Sequence, residues 1–243
     1  MPATASSLST IGFDADDTLW QNEQFFKWTQ ERFASLLADH AAADDLARNL
    51  LAAEKRNLRL YGFGIKGFTL SMIETAIDLT EGRIPAADIR SILDLGKAMM
   101  DHPVELLDGV VETLDALAPE AAAGRIRLMV ITKGDLFHQE SKVARSGLAE
   151  RFERIEIVAE KDEATYRRIL QRSGTAPEQF LMIGNSMRSD ILPVLDLGGR
   201  AVHIPYRITW AHEAASRPEV APPGFHTLES IREVPALVSR LIG

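Results

Sequence analysis

Ile11-Gly12-Phe13-Asp14-Ala15-Asp16-Asp17-Thr18-Leu19-Trp20 sets an apolar run directly before three acids, Asp14, Asp16 and Asp17. The stretch reads as a buried strand that ends in clustered carboxylates. Like charges gathered at a buried edge repel one another unless something cationic sits among them, and a hard cation such as Mg2+ prefers oxygen ligands. The same letters also spell a turn followed by a helix N-cap, positions that favour Asp and Thr. Two readings therefore stand at this point, a Mg2+ site at the carboxyl end of the first strand or a plain turn. The rest of the chain decides between them.

Moving outward, the text after Trp20 becomes helical. Asn22 to His40 carries Phe25, Phe26, Phe33, Leu36 and Leu37 at helical spacing, with Asn22 as a cap, and Ala41 to Leu60 continues with Leu46, Leu50, Leu51 and Leu58. A glycine-spaced stretch, Tyr61-Gly62-Phe63-Gly64-Ile65-Lys66-Gly67-Phe68, reads as a loop, and helices over Thr69–Glu81 and Pro85–Met100 follow. From Val104 the pattern changes. Short apolar strands at Arg125–Thr132, Ile155–Val158, Phe180–Gly184 and Arg200–Pro205 alternate with helices near Val110–Leu117, Phe137–Ser146, Ala164–Ser173 and Asp190–Leu197. Such alternation implies a Rossmann-like α/β fold, a parallel sheet with helices on both faces. The chain then divides into an α/β core, residues 1–20 and 104–243, and an all-helical cap inserted over residues 21–103. A final helix near Val234–Leu241 closes the chain.

In an open parallel sheet, ligands bind beyond the carboxyl ends of the strands. After the first strand stand Asp14, Asp16 and Asp17; after the second, Thr132, Lys133 and Gly134. After the third come Glu160, Lys161 and Asp162, and after the fourth Asn185, Ser186 and Asp190. Carboxylates, a hydroxyl, lysines and an amide thus converge on one edge. Metal-assisted chemistry on an anion requires that set.

These segments resemble, in order, the four motifs of the haloacid dehalogenase-like hydrolase superfamily. Asp14-Ala15-Asp16-Asp17-Thr18 matches its Asp-x-Asp-x-Thr/Val motif, Thr132 its Ser/Thr motif and Lys161 its lysine motif. Gly184-Asn185-Ser186-Met187-Arg188-Ser189-Asp190 is similar to the acidic motif, usually Gly-Asp-x-x-x-x-Asp. The resemblance spans nearly the whole chain and implies a Mg2+-dependent phosphatase. It makes Asp14 the nucleophile and metal ligand, and Asp16 the acid/base whose main-chain carbonyl also meets the metal. Thr132 becomes a phosphoryl ligand, Lys161 an offset for charge between nucleophile and phosphate, and Asn185 and Asp190 the remaining metal ligands. Lys133 competes with Lys161 for the lysine role, and Asn185 departs from the usual Asp, which predicts weaker metal binding. Asp17 and Thr18 read as turn and capping residues, and Lys142 as a solvated helix residue. In the cap, Tyr61, Phe63, Lys66 and Phe68 are expected to face the substrate, with Lys66 meeting a second anionic group; the aromatics, Phe68 above all, are equally placed for the cap core.

Composition narrows the classes. A net charge of −8 and a pI near 5.3 argue against a general nucleic-acid binder, whose footprint would be basic. The absence of cysteine excludes disulfides, thiolate zinc sites and cysteine nucleophiles. The histidines show no HxH or HExxH spacing, which argues against zinc. Trp210 and His212, after the last strand, fit a surface or core role better than the edge of the site. No secretory signal and no apolar window of the ~18 residues that span a membrane are visible, so a cytoplasmic protein is expected, and the resemblance implies a small phosphorylated metabolite as its substrate. A haloacid dehalogenase would share the fold, the cap and the nucleophile, but a carbon–halogen bond needs no acid for an alcohol leaving group, so Asp16 would be out of place. A silent binding protein that keeps the fold is the third class, and Asn185 is its support.

Overall fold

The computed structural model describes residues 7–208 and 222–242; Trp210 and His212 lie outside them. The chain separates into two compact units. The first comprises residues 1–23, 104–133 and 139–243, and the second residues 24–103 with 134–138.

The first strand, β1 (Thr10–Phe13), is followed by four helices of the second unit, α1 (Glu23–Leu36), α2 (Ala43–Tyr61), α3 (Ile65–Leu79) and α4 (Ala86–Asp101). Then come α5 (Val110–Ala122), β2 (Arg127–Lys133), α6 (Leu136–Ser146), β3 (Arg154–Val158), α7 (Glu163–Ser173) and β4 (Phe180–Gly184). The chain ends with α8 (Leu192–Asp196), β5 (Arg200–His203), β6 (Phe225–Thr227) and α9 (Val234–Ile242). The described strands form one parallel sheet in the order β3-β2-β1-β4-β5-β6. Strand order reverses between β1 and β4, and in doubly wound sheets such a reversal opens the crevice where ligands bind. Phe13 pairs with Val130 on one side and Ile183 on the other, and the amide of Asp14 still donates to Ile183 O at 2.8 Å. The first acid therefore stands at the mouth of that crevice.

Strand side chains alternate between two buried faces, as period-2 geometry requires. Ile11, Phe13, Leu128, Val130, Leu181 and Ile183 pack with Leu114 and Leu117 of α5 and Val234, Leu237 and Val238 of α9. Met129, Ile131, Phe180 and Met182 pack with Tyr166, Ile169 and Leu170 of α7 and Val194 of α8. Helices thus cover both faces, which is why the strands read as continuous apolar runs. On the second face β1 presents Thr10 and Gly12, and a methyl group at Gly12 would lie 2.8 Å from the Phe180 ring. The Phe180 ring fills that space instead.

The second unit has its own core, built from Phe33, Leu37, Leu46, Leu50, Ile65, Phe68, Met72, Ala76, Ile92 and Met99. Phe68 is buried there, its ring 5.0 Å from that of Phe26, so it is a core residue of this unit. The loop expected over residues 61–68 is shorter than the glycines suggest. Helix α3 starts at Ile65, directly after Gly64, and Lys66 and Phe68 are already helical. The three-residue edge strand β6, unread in the sequence, pairs with β5 through Ala201↔Phe225, Val202↔His226 and His203↔Thr227. Three residues after a proline-rich segment are too few to carry an alternating pattern.

Candidate active site

The carboxyl edge of the sheet gathers its polar side chains around Asp14. Lys161, on the loop between β3 and α7, donates its buried ammonium to Asp14 Oδ1 and, at 2.7 Å, to Asp190 Oδ1. Asp190 is almost wholly enclosed and also accepts from the amide of Ser186 at 3.0 Å through Oδ2. It sits on a single π-helical turn, Met187–Ile191, rather than at the start of the α-helix that the sequence suggests. Wide turns of this kind recur at functional sites because they re-aim one side chain. Gly184 makes the approach possible: a methyl group there would lie 2.3 Å from Asp190 Oδ2.

Burial raises the Asp14 carboxyl to about 7, the Asp190 charge adds to the rise, and the Lys161 ammonium opposes it without cancelling it. Lys161 is held well above its ordinary value: burial opposes its charge, and the two carboxylates outweigh that. With both acids ionised, the three groups sum to −1, so the cluster lacks one positive charge. Thr18 donates to Asp14 Oδ2 at 2.9 Å, with Asn185 Oδ1 3.4 Å from the same hydroxyl. Among the described residues no group of three or more His, Cys, Asp or Glu side chains is arranged to hold a metal. A divalent ion at this edge could combine the Asp14 and Asp190 carboxylates with neutral oxygens such as Asn185 Oδ1, which lies 3.4 Å from the Thr18 hydroxyl. Oxygen donors with excess negative charge suit Mg2+ and not a softer metal.

Asp16 faces elsewhere. Trp20 Nε1 donates to its Oδ1 at 2.6 Å, Lys142 Nζ to the same oxygen at 2.5 Å, and Gln139 Nε2 to Oδ2 at 3.0 Å. Burial alone would raise this carboxyl, but the Lys142 charge and the three donors outweigh it, and Asp16 lies below the usual carboxylate range. Lys142 is thus no solvated helix residue. Its buried ammonium is divided between Asp16 and, at 3.1 Å, Asn22 Oδ1. Gln139 also donates to Thr132 Oγ1 at 2.7 Å and to the Lys133 carbonyl at 3.0 Å, which ties the Asp16 side chain to the end of β2.

Asp17 is a capping residue, as its sequence context suggests. Its carboxylate accepts from the amides of Asn22 and Glu23 at 2.8 to 3.1 Å, where α1 begins, and its backbone takes φ 62°. Burial raises its carboxyl to about 7, against the pull of those two amides. Thr18, read from sequence as scaffolding, touches Asp14 directly. Lys133 reaches Ser189 Oγ at 3.1 Å and Glu160 at 3.3 Å, whereas Lys161 bridges the two buried acids. In the second unit, Lys66 pairs with Asp135 at 2.9 Å, Tyr61 is half exposed at the end of α2 and Phe63 is partly buried.

Trp20, Gln139 and Lys142 were not legible as site residues. The only signal is the three-residue spacing of Gln139 and Lys142, which puts both on one face of α6. Many solvent-facing pairs share that spacing.

The model of the haloacid dehalogenase-like hydrolases matches residues 8–198, which carry all of the clustered groups just described. The chain belongs to this hydrolase family. A haloacid dehalogenase-like family hydrolase from Xanthomonas campestris is 42% identical, covers 99% of this chain and 94% of its own, and superposes with a TM-score of 0.85. The glyceraldehyde 3-phosphate phosphatase of Methanothermobacter thermautotrophicus is 24% identical over 215 residues, 84% of this chain and 88% of that protein. The L-2-haloacid dehalogenase of Xanthobacter autotrophicus shares the fold with a TM-score of 0.65 at 16% identity, over 96% of this chain and 98% of its own. The hydrolase fold is therefore common to relatives named for different bonds. Among the described residues no helix is long and apolar enough to cross a membrane.

Proposed function

We propose that this hydrolase is a Mg2+-dependent phosphatase that releases phosphate from a small phosphomonoester through an aspartyl-phosphate on Asp14. The observation that supports the reading best is Asp16, a second, partly buried carboxylate two residues from Asp14 with its own donors, linked to Thr132 through Gln139. A leaving alkoxide needs a proton donor, and halide does not. The curated relative named as a glyceraldehyde 3-phosphate phosphatase supports the same bond type. The likeness to the dehalogenase concerns the fold alone.

In this reading an Asp14 oxygen attacks phosphorus, and Asp16 protonates the departing oxygen and then takes a proton from the attacking water. Thr132 accepts from Gln139 and so turns its own hydroxyl proton toward a phosphoryl oxygen. Lys161 keeps the charge of Asp14 and the phosphate from repelling. Asp14 and Asp190, with Asn185 and the Asp16 main-chain carbonyl, would hold Mg2+, which supplies the missing positive charge. Lys133 serves at the phosphate edge. The second unit acts as the cap, with Tyr61, Phe63 and Lys66 as its substrate-facing residues. The reading expects a small phosphorylated metabolite as the partner rather than a nucleic acid or a membrane, and a cytoplasmic setting fits the cysteine-free chain.

The test is a panel of phosphomonoesters with purified protein in Mg2+ and in EDTA. Turnover in Mg2+, lost in EDTA and in Asp14→Asn, is expected. Turnover of a halocarboxylate in EDTA with all phosphate esters inert would refute the reading.

A further inference from the structure

Gln139 and Lys142 lie one turn apart on α6 and meet opposite oxygens of the same carboxylate. Lys142 and Trp20 take Asp16 Oδ1 at 2.5 and 2.6 Å, and Gln139 takes Oδ2 at 3.0 Å. Both α6 side chains are enclosed, Gln139 2% and Lys142 7% exposed, so these are not surface contacts that solvent can replace. Burying an ammonium and a primary amide is costly unless the partners are specific. Lys142 recovers that cost with two oxygen partners, and Gln139 Nε2 with Asp16, Thr132 and the Lys133 carbonyl. Its Oε1 is buried and accepts from no group among the described residues. A helix that only needed to pack against the sheet would bury a leucine there more cheaply. The arrangement instead fixes the plane of one carboxylate.

We infer that Gln139 and Lys142 are positioning residues that hold the Asp16 carboxyl in the orientation from which it protonates the leaving group. The inference rests on the phosphatase reading. In the step concerned, a bond forms between Asp14 oxygen and phosphorus while the phosphorus–ester oxygen bond breaks. The departing oxygen keeps the electron pair of that bond and takes the Asp16 proton, leaving Asp16 as a carboxylate. An ester whose leaving group is an acidic phenol departs without that proton, whereas an alkyl ester depends on it. A clamp on Asp16 therefore governs one class of ester and spares the other. A residue that only supports the fold would affect both alike.

The experiment compares kcat/KM for an alkyl phosphate and for 4-nitrophenyl phosphate, in Mg2+, for the wild-type protein, Lys142→Met, Lys142→Arg and Gln139→Leu. The ratio kcat/KM reports the steps up to leaving-group departure, so slow hydrolysis of the aspartyl-phosphate does not mask the effect. General acid catalysis is worth roughly 10²–10⁴-fold, and misplacing the acid forfeits part of it. Lys142→Met is expected to lower the alkyl-ester value about tenfold to a hundredfold and the aryl-ester value less than about threefold. Lys142→Arg restores most of the loss. Gln139→Leu gives the same selective pattern and decides the matter should Lys142→Met fail to fold. Equal losses on the two esters, or no loss on the alkyl ester, overturn the inference. A wild-type protein inert toward both esters overturns the phosphatase reading, and this inference with it.

Discussion

Replacing Asp14 with Asn should make the metal-free protein more stable while abolishing its turnover. Asp14 and Asp190 share one ammonium, Lys161, so their enclosed cluster carries −1 when both are ionised. Burial and the Asp190 charge lift Asp14 from 3.8 to about 7. At about 1.36 kcal/mol per pH unit, ionising it in the folded chain above that pH costs up to about 4 kcal/mol. Asn removes that cost but binds Lys161 less strongly, and a net gain of about 1–3 kcal/mol remains. For a chain of this size each kcal/mol moves the unfolding temperature by about 2–4 °C. The sign follows from linkage. Below 3.8 Asp14 is protonated in folded and unfolded chains alike, so its ionisation separates variant from wild type by nothing. Between 3.8 and about 7 the unfolded chain gives up the proton and the folded chain keeps it, so wild-type stability falls as pH rises. Above about 7 the difference is constant. Thermal unfolding followed by circular dichroism in EDTA, from about pH 4 to about pH 8, reads this directly. Excess Mg2+ should then raise the wild-type transition and leave Asp14→Asn unmoved. An Asp14→Asn protein that melts below wild type at about pH 8, or a difference that does not widen with pH, refutes the argument.

Two further substitutions probe the same edge. Gly184→Ala places a methyl group 2.3 Å from Asp190 Oδ2, and should displace that carboxylate from Ser186 and Lys161. The expected cost is about 1–3 kcal/mol of stability in a thermal melt, with at least a tenfold loss of Mg2+-dependent turnover. Asn185→Asp adds a charge beside a cluster that reaches −1 once Asp14 ionises, so above about pH 7 it should lower the melting temperature in EDTA. In calorimetric titration it should tighten Mg2+ binding about tenfold, because the ligand charge rises.

The central strands were legible in the sequence because both faces of the sheet are buried there. Leu128 to Ile131 and Phe180 to Ile183 point alternately into two cores, which makes each strand an unbroken apolar run. The acids, the hydroxyl and Lys161 were legible because each follows closely on a strand, and strand ends in a parallel sheet share one edge. Lys142 was misread for the converse reason. It lies on a helix of mixed polarity, and nothing local distinguishes a lysine that faces water from one whose carboxylate partner stands 126 positions earlier. Trp20 suffers the same fate, as a large apolar residue whose ring nitrogen alone carries its role. The π-helical turn at Met187–Ile191 was likewise invisible, since its register depends on Asp190 reaching back to the Ser186 amide across Gly184.

The three acids after β1 also show why proximity in sequence says little about protonation. Asp17 spends its carboxylate on the amides that open α1. Asp14 is pushed up by burial and by Asp190, whereas Asp16 ends below its ordinary range because Lys142, Trp20 and Gln139 outweigh its burial. Of the two acids given proton chemistry in the proposed mechanism, then, the free site leaves Asp14 the readier to hold a proton and Asp16 the readier to give it up. That is the reverse of what attack by Asp14 and protonation by Asp16 require. Both must change when the site is filled. In the proposed mechanism Asp14 would lose its proton once a divalent cation offset the Asp190 charge, and Asp16 would gain affinity for one as a dianionic phosphate approached its carboxylate. Metal and substrate together would thus convert a resting distribution of protons into a reactive one. In that mechanism neither alone would leave Asp14 charged and Asp16 protonated: substrate without metal would meet a masked nucleophile, and metal without substrate would leave Asp16 without its proton.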